Sequence, residues 1–298
     1  MTALDELQKT ITDVSTRVGP SVVGIGSRLR GSGVVIADGK VLTNAHNVRG
    51  DEVTINFAGG RSTRGKLAGI DVDGDLAVVN VDTSGAKAVE WGDGSAVTPG
   101  TIVFAAAAAP DGATRVTLGT VSAVARAFRG PGGRRIAGSV EHTAPLAPGS
   151  SGGPVLNAKG QLLGINTNRI GEGFYLALPA DTALRERVDA LGRGENVERP
   201  RLGVAVAPSH VAARLRASVG LPEREGLLVR GVEDGSLADK AGIQAGDLII
   251  AAAGKPVTDA DALFETLSAA KLPFEVKVVR GTEERTVSVG GGTVSGEA

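Results

Sequence analysis

Between Ser21 and Leu178 the apolar residues come in short runs, each halted after a few positions by Gly, Pro, Asn, Asp or Ser. The first cluster is 22–25, 33–36, 40–43, 52–57 and 77–81, and the second is 102–106, 115–124, 136–143, 154–156, 161–166 and 174–178. Such runs are too short for helices and rich in β-branched residues, so the spacing predicts a mainly β architecture, a barrel or a sandwich. Only 3% of the chain is aromatic, and its cores must rest on Val, Leu, Ile and Ala. Its 298 residues allow two or three domains. Ahead of the β region, Leu4, Leu7, Ile11, Val14 and Val18 alternate steps of three and four, which predicts an amphipathic helix over 1–18 that packs on the following domain. Gly19-Pro20 ends it. The β domain is expected over 19–192 and closes with a helix over 181–191 capped by Asp181. A polar linker over 193–198 then leads to a small α+β unit over 199–298, with an amphipathic helix over 259–270.

Three stretches could carry chemistry. Gly149-Ser150-Ser151-Gly152-Gly153-Pro154 sets a serine in a glycine-rich turn, where a hydroxyl and several backbone N–H groups can converge on one point. Acyl transfer needs that combination: a nucleophile, and donors aimed at the oxyanion it creates. The same six residues read equally well as a tight turn between strands. His46, one of three histidines, follows the apolar run Val41-Leu42-Thr43, and by itself it fits a surface or packing role. Asp75 opens the run Leu76-Ala77-Val78-Val79, where a carboxylate needs a partner or else caps a turn.

Composition narrows the field further. The net charge of −1 suggests neither a nucleic-acid nor a membrane-surface partner. With no cysteine there is no disulfide, thiol catalysis or thiolate metal site, and no metal-ligand cluster is visible in the sequence. The first residues, with Asp5 and Glu6, do not form a signal peptide, and no apolar run approaches the ~20 residues of a spanning helix. As it stands the chain is expected to be cytoplasmic; behind a leader or anchor it would be periplasmic or in the cell envelope.

The order His46, Asp75, Ser151, each at a strand end or tight turn, matches the trypsin-like serine proteases. Within them, the segments T-N-A-H, D-L-A-V-V, P-G-S-S-G-G-P and Gly164-Ile165-Asn166-Thr167 resemble the HtrA (Deg) proteases, as does Gly31-Ser32-Gly33. In the last hundred residues Gly226-Leu227-Leu228-Val229, Ser236-Leu237-Ala238, Ala241-Gly242-Ile243 and Ala245-Gly246-Asp247-Leu248-Ile249 resemble the PDZ pattern. Leu237 stands where that pattern has proline. Ser150 stands where the family has Asn, Thr143 where it often has Asp, and Asn47 where it usually has Val.

The resemblance implies two six-stranded β-barrels with the site in their crevice, followed by a PDZ domain. It implies a cofactor-free serine endopeptidase acting on unfolded or damaged proteins, with Ser151 as nucleophile, His46 as base and Asp75 as its partner. The N–H groups of Gly149 and Ser151 would form the oxyanion hole. Leu146 and Ile165 match positions lining the family's substrate pocket, and Pro145 replaces trypsin's acidic specificity residue. Small or medium aliphatic side chains are therefore expected there. The segment 126–135 corresponds to a loop that relays regulatory signals. In the PDZ domain Leu202, Gly203 and Val204 match the loop that captures a C-terminal peptide. By family the protein is a homo-oligomer, a trimer, although the usual N-terminal aromatics are missing. The alternative from another class is a latent protease fold acting as a peptide-binding or chaperone-like module; a third reading is a PDZ adaptor whose barrel is only structural.

Overall fold

In a computed structural model of the chain, residues 2–130, 133–196 and 201–290 are described. The chain divides into two compact units, 1–197 and 198–298.

The first unit opens with helix α1 (Ala3–Val18). Thr2 caps it through a reciprocal pair of bonds with Asp5, which satisfies two amides that the first turn cannot. Only the last turns of α1 pack: Val14 and Val18 are buried, whereas Leu4 is 76% exposed. Strands β1 (Val22–Ile25), β2 (Gly31–Ala37), β3 (Lys40–Thr43), β4 (Glu52–Phe57), β5 (Ser62–Asp71) and β6 (Leu76–Asn80) follow. They close in the order β1-β2-β3-β6-β5-β4. A second closed barrel, β10-β11-β12-β9-β8-β7, is built from β7 (Ile102–Ala108), β8 (Thr114–Arg129), β9 (Arg135–His142), β10 (Pro154–Leu156), β11 (Leu162–Arg169) and β12 (Tyr175–Pro179).

The continuous apolar runs acquire a physical reason here. Successive side chains on a strand point to opposite faces. Val23, Val35, Val41 and Val79 fill the interior of the first barrel together with Ile25, Ile55 and Phe57. Their neighbours Val22, Val34, Leu42 and Val78 face the other way. They join Phe104, Leu156, Ile165 and Leu176 of the second barrel in one shared core. Strands buried on both faces need apolar residues at every position. Strand β5 is absent from the expected runs because S-T-R-G-K-L-A-G-I-D mixes charge and glycine, and only Gly65, Gly69 and Asp71 are buried.

Helix α2 (Thr182–Gly192) is capped by Asp181, whose side chain accepts from Leu184 N at 2.7 Å. It drives Leu184, Val188 and Leu191 into the shared core. Part of the expected linker is tied down as well: Asn196 Oδ1 accepts from Ile70 N at 3.0 Å. The rest of that linker, at 197–198, lies outside the described residues.

The second unit is a sheet ordered β13-β14-β15-β17-β18 with β16 attached to β15. Its elements are β13 (Val204–Ala207), α3 (Ser209–Ser218), β14 (Leu227–Val232), α4 (Leu237–Lys240), β15 (Leu248–Ala252), β16 (Lys255–Pro256), α5 (Ala260–Ala269), β17 (Phe274–Arg280) and β18 (Glu283–Val289). Leu227, Ile249, Leu263, Leu267, Val276 and Val278 lie in its core. The buried Asp247 is held in a two-pronged pair by Arg280, with Nε–Oδ1 and a terminal nitrogen–Oδ2 both at 2.8 Å. Among the described residues, no helix is long and apolar enough to cross a membrane.

Leu156 has no solvent exposure and lies in the core shared by the two barrels. Leu156→Ala should destabilise the first unit by about 2–5 kcal/mol, through lost burial plus a residual cavity. The shift of its urea unfolding midpoint measures this.

Candidate active site

Strand β3 ends at Thr43, and a single 3-10 turn, Ala45–Asn47, presents His46. Asp75 ends the turn between β5 and β6 with φ of 54°, a left-handed backbone that a non-glycine residue adopts only when its surroundings hold it there. They do: Asn44 Nδ2 donates to Asp75 O at 2.9 Å. The carboxylate is buried yet fully provided with donors. Oδ1 accepts from the backbone N–H of His46 at 3.2 Å and lies 2.9 Å from its Nδ1. Oδ2 accepts from Thr167 Oγ1 at 2.7 Å. Because a carboxylate can only accept, Nδ1 carries the hydrogen and Nε2 presents its lone pair to the crevice. The imidazole is 35% exposed beside a carboxylate that is 1% exposed.

Ser151 belongs to the other barrel, in the turn just ahead of β10. Its Oγ donates to the carbonyl of Thr167 at 3.0 Å. Thr167 therefore touches two members of the set, Asp75 with its side chain and Ser151 with its main chain. Thr167 was expected only as part of the Gly164-to-Thr167 family marker, and nothing in its spacing disclosed this double contact.

The turn around Ser151 is held peptide by peptide. Ser150 N donates to Ala147 O at 3.2 Å, with Pro148 and Gly149 (φ 88°) between them, the residue pair a type II turn favours. Gly149 O accepts from Ser32 Oγ at 2.8 Å, Ser150 O from Gly153 N at 3.0 Å, and Ser151 O from Ser32 N at 2.8 Å. Asn47 Nδ2 also reaches Ser151 O at 2.9 Å. Gly152 has φ of 88°, and a Cβ there would lie 2.1 Å from Ser32 O, so only glycine fits where the two barrels touch. Ser32, expected only as part of the family's Gly31-Ser32-Gly33 strand, and Asn47, expected only as a departure from the usual Val, are thus the first barrel's grip on the turn around Ser151.

Beside Ser151 lies a cavity of about 150 Å³ whose walls include Leu146, Ala147, Asn166, Thr167, Arg169 and Tyr175. Leu146 lies where it was expected. Ile165 does not: it is wholly buried in the core shared by the barrels and stays outside the cavity lining. Strand alternation is the reason, since adjacent Asn166 takes the cavity face and Ile165 the opposite one. Tyr175, missed in the sequence, is instead part of the wall, with its hydroxyl donating to Leu146 O at 3.3 Å.

Behind that wall lies His142, fully buried and stacked on Tyr175 with ring centroids 5.8 Å apart. Asn166 Nδ2 donates to Gly153 O, which leaves Asn166 Oδ1 to accept from His142 Nε2 at 2.8 Å. His142 Nδ1 is buried without a hydrogen-bond partner. Burial pushes this imidazole's pKa below the ordinary histidine value, and the bond to Asn166 only partly offsets the shift.

In the second unit the loop at Leu202, Gly203 and Val204 leads into edge strand β13. The carbonyls of Leu202 and Gly203 accept from Ala238 N and Glu233 N, both at 2.8 Å. Gly203 has φ of 75°, and a Cβ there would meet Ser236 Cβ at 2.3 Å. Among the described residues, no group of three or more His, Cys, Asp or Glu side chains could hold a metal ion.

Residues 31–165 match the trypsin-like peptidase domain family, and residues 228–280 match the PDZ domain family. The putative serine protease HhoA of Synechocystis sp. is 32% identical over 87% of this chain and 70% of its own length. The chain belongs to the HtrA family of trypsin-like serine proteases with a PDZ domain. The putative serine protease HhoB of the same organism is 33% identical over 87% of this chain, which spans 65% of HhoB. Among solved structures, the HtrA-type protease AlgW with a decapeptide superposes with a TM-score of 0.71 at 24% identity, covering 95% of this chain and 98% of AlgW. That likeness is one of fold.

The pH dependence of stability follows from His142. Because its folded pKa is depressed, the unfolded chain takes up the proton first as the pH falls. The associated stability is present above the ordinary value of about 6.5 and is lost as the pH drops from there through the folded pKa. His142→Gln keeps a donor for Asn166 but cannot titrate. Between pH 7 and 5 the wild-type Tm should fall more steeply than that of the variant in paired thermal melts.

Proposed function

We propose that this HtrA-family chain is a serine endopeptidase that cleaves unfolded or damaged polypeptides, with Ser151 as nucleophile, His46 as general base and Asp75 as its orienting partner. The observation that carries the reading is the Asp75–His46 pair in one barrel joined through Thr167 to Ser151 in the other. In this mechanism an extended substrate lies along the edge of β11 beyond Asn166, and a substrate N–H takes the carbonyl of Thr167. The Ser151 hydroxyl, released from that carbonyl, turns to His46 Nε2 and gives up its proton as Oγ bonds to the scissile carbonyl carbon. Negative charge on the carbonyl oxygen is met by the N–H groups of Gly149 and Ser151, donors typically worth about 3 kcal/mol each. The imidazolium, stabilised by Asp75, then protonates the leaving amine, and water repeats the sequence on the acyl-enzyme. The 150 Å³ cavity bounded by Leu146 and Tyr175 suits a small or medium aliphatic side chain.

The second unit supplies recognition in this reading. A peptide adds a strand to β13, and its terminal carboxylate meets the N–H groups of Leu202 to Val204. A latent resting site is the second reading. It is favoured by one observation, the bond from Ser151 Oγ to Thr167 rather than to His46.

Ser151→Ala should lose casein cleavage by at least about a thousandfold, together with fluorophosphonate labelling, while Ser150→Ala keeps most of both. Wild-type protein that neither labels nor cleaves would leave the latent reading standing. Labelling that survives in Ser151→Ala and vanishes in Ser150→Ala would move the nucleophile by one residue.

A further inference from the structure

Arg169 is the last residue of β11, opposite Tyr175 of β12, and it belongs to the wall of the cavity beside Ser151. Its side chain is exposed but anchored: Nε donates to Gly171 O at 2.8 Å, which fixes the plane of the guanidinium. Its two terminal nitrogens make no hydrogen bond or ion pair among the described residues. Its backbone N–H points away from β12 and is occupied by the side chain of its neighbour, Asn168 Oδ1, at 2.9 Å. Strand β10 pairs with β11 only as far as Ile165, and Asn166 completes that edge by bonding to Gly152 and Gly153. From Thr167 to Arg169 no strand pairs with this edge among the described residues, and the side-chain bonds there, from Ser151 Oγ to Thr167 O and from Arg169 N to Asn168 Oδ1, are ones that an added strand can replace.

We infer that Arg169 is a specificity-determining residue that selects substrates with an acidic side chain two residues before the cleaved one. This rests on the endopeptidase reading above. On an antiparallel added strand, the residue whose side chain enters the cavity lies opposite Thr167, and the residue two positions towards the substrate N-terminus lies opposite Arg169. There the backbone N–H of Arg169 exchanges Asn168 Oδ1 for a substrate carbonyl. The pre-aimed guanidinium then meets the substrate side chain, and a carboxylate accepts from its free fork. The site thus asks for two things at once, a short aliphatic side chain in the cavity and a carboxylate at the rim. A lysine at the rim meets a like charge.

Three internally quenched peptides with amidated C-termini, alike except for Glu, Gln or Lys at that position, test the assignment on the full chain. Rates are normalised to active sites titrated with fluorophosphonate. For the wild type, kcat/KM should fall about threefold from Glu to Gln and about threefold again to Lys, mainly through KM, and high salt should flatten the series. Arg169→Gln should flatten it at low salt, and Arg169→Glu should invert it. A series unmoved by Arg169→Glu, or absent in the wild type, overturns the role given to Arg169. The same peptides bound to Ser151→Ala, followed by fluorescence anisotropy, should rank in the same order without turnover. Absence of cleavage alone therefore overturns only the endopeptidase reading, whereas equal affinities overturn the inference.

Discussion

The carboxylate of Asp75 is the point on which the site's geometry turns. It is buried, and burial of a charge is tolerated only where donors replace the lost water. Those donors come from both barrels: the imidazole and backbone N–H of His46 from the first, and the hydroxyl of Thr167 from the second. Satisfying one charge thereby sets the imidazole's tautomer, its orientation and the position of β11. The left-handed backbone of Asp75, held by Asn44, is a local cost that this arrangement offsets.

A second set of contacts also crosses between the barrels. Ser32 and Asn47, both from the first barrel, hold the carbonyls of Gly149 and Ser151 on either side of the Ser151 N–H. An oxyanion hole built from backbone amides is as good as the orientation of its peptides. Here that orientation is set across the crevice rather than within the turn alone. The close fit explains why Gly152 cannot carry a side chain, and why the core shared by the barrels must be free of voids. Leu42, Phe104, Leu156 and Ile165 keep the two halves of the site in register.

Around this rigid centre the chain has features of its own. His142 is a buried imidazole with one nitrogen unsatisfied, directly behind the wall of the cavity beside Ser151. Arg169 stands at the mouth of the same cavity, its Nε bonded to Gly171 O and its terminal nitrogens without a partner among the described residues. Strand β11 carries both influences: Asn166 bonds to His142 and to the turn after Ser151, Thr167 bonds to Asp75 and Ser151, and Arg169 ends the strand.

The sequence by itself determined the fold class, the approximate strands of both barrels and the helix cap at Asp181, and it singled out His46, Asp75 and Ser151 as the candidate site. These were legible because each has a local cause: β-branched runs stopped by turn residues, a side chain that caps the turn beside it, a serine among glycines. What only the tertiary structure decided depends on residues far apart in the chain. Strand β5 was hidden because its charge and glycine follow from having one wet face, not from its pairing. Ile165 yielded the cavity face to Asn166 because strand phase, a matter of one residue, decides which side chain faces the cavity. Thr167 serves two members of the active site only because two barrels built from separate stretches close against each other. Ser32 meets Gly149 across more than a hundred residues for the same reason. Local chemistry can be read along the chain, but which donors meet a buried charge is settled only when the barrels pack.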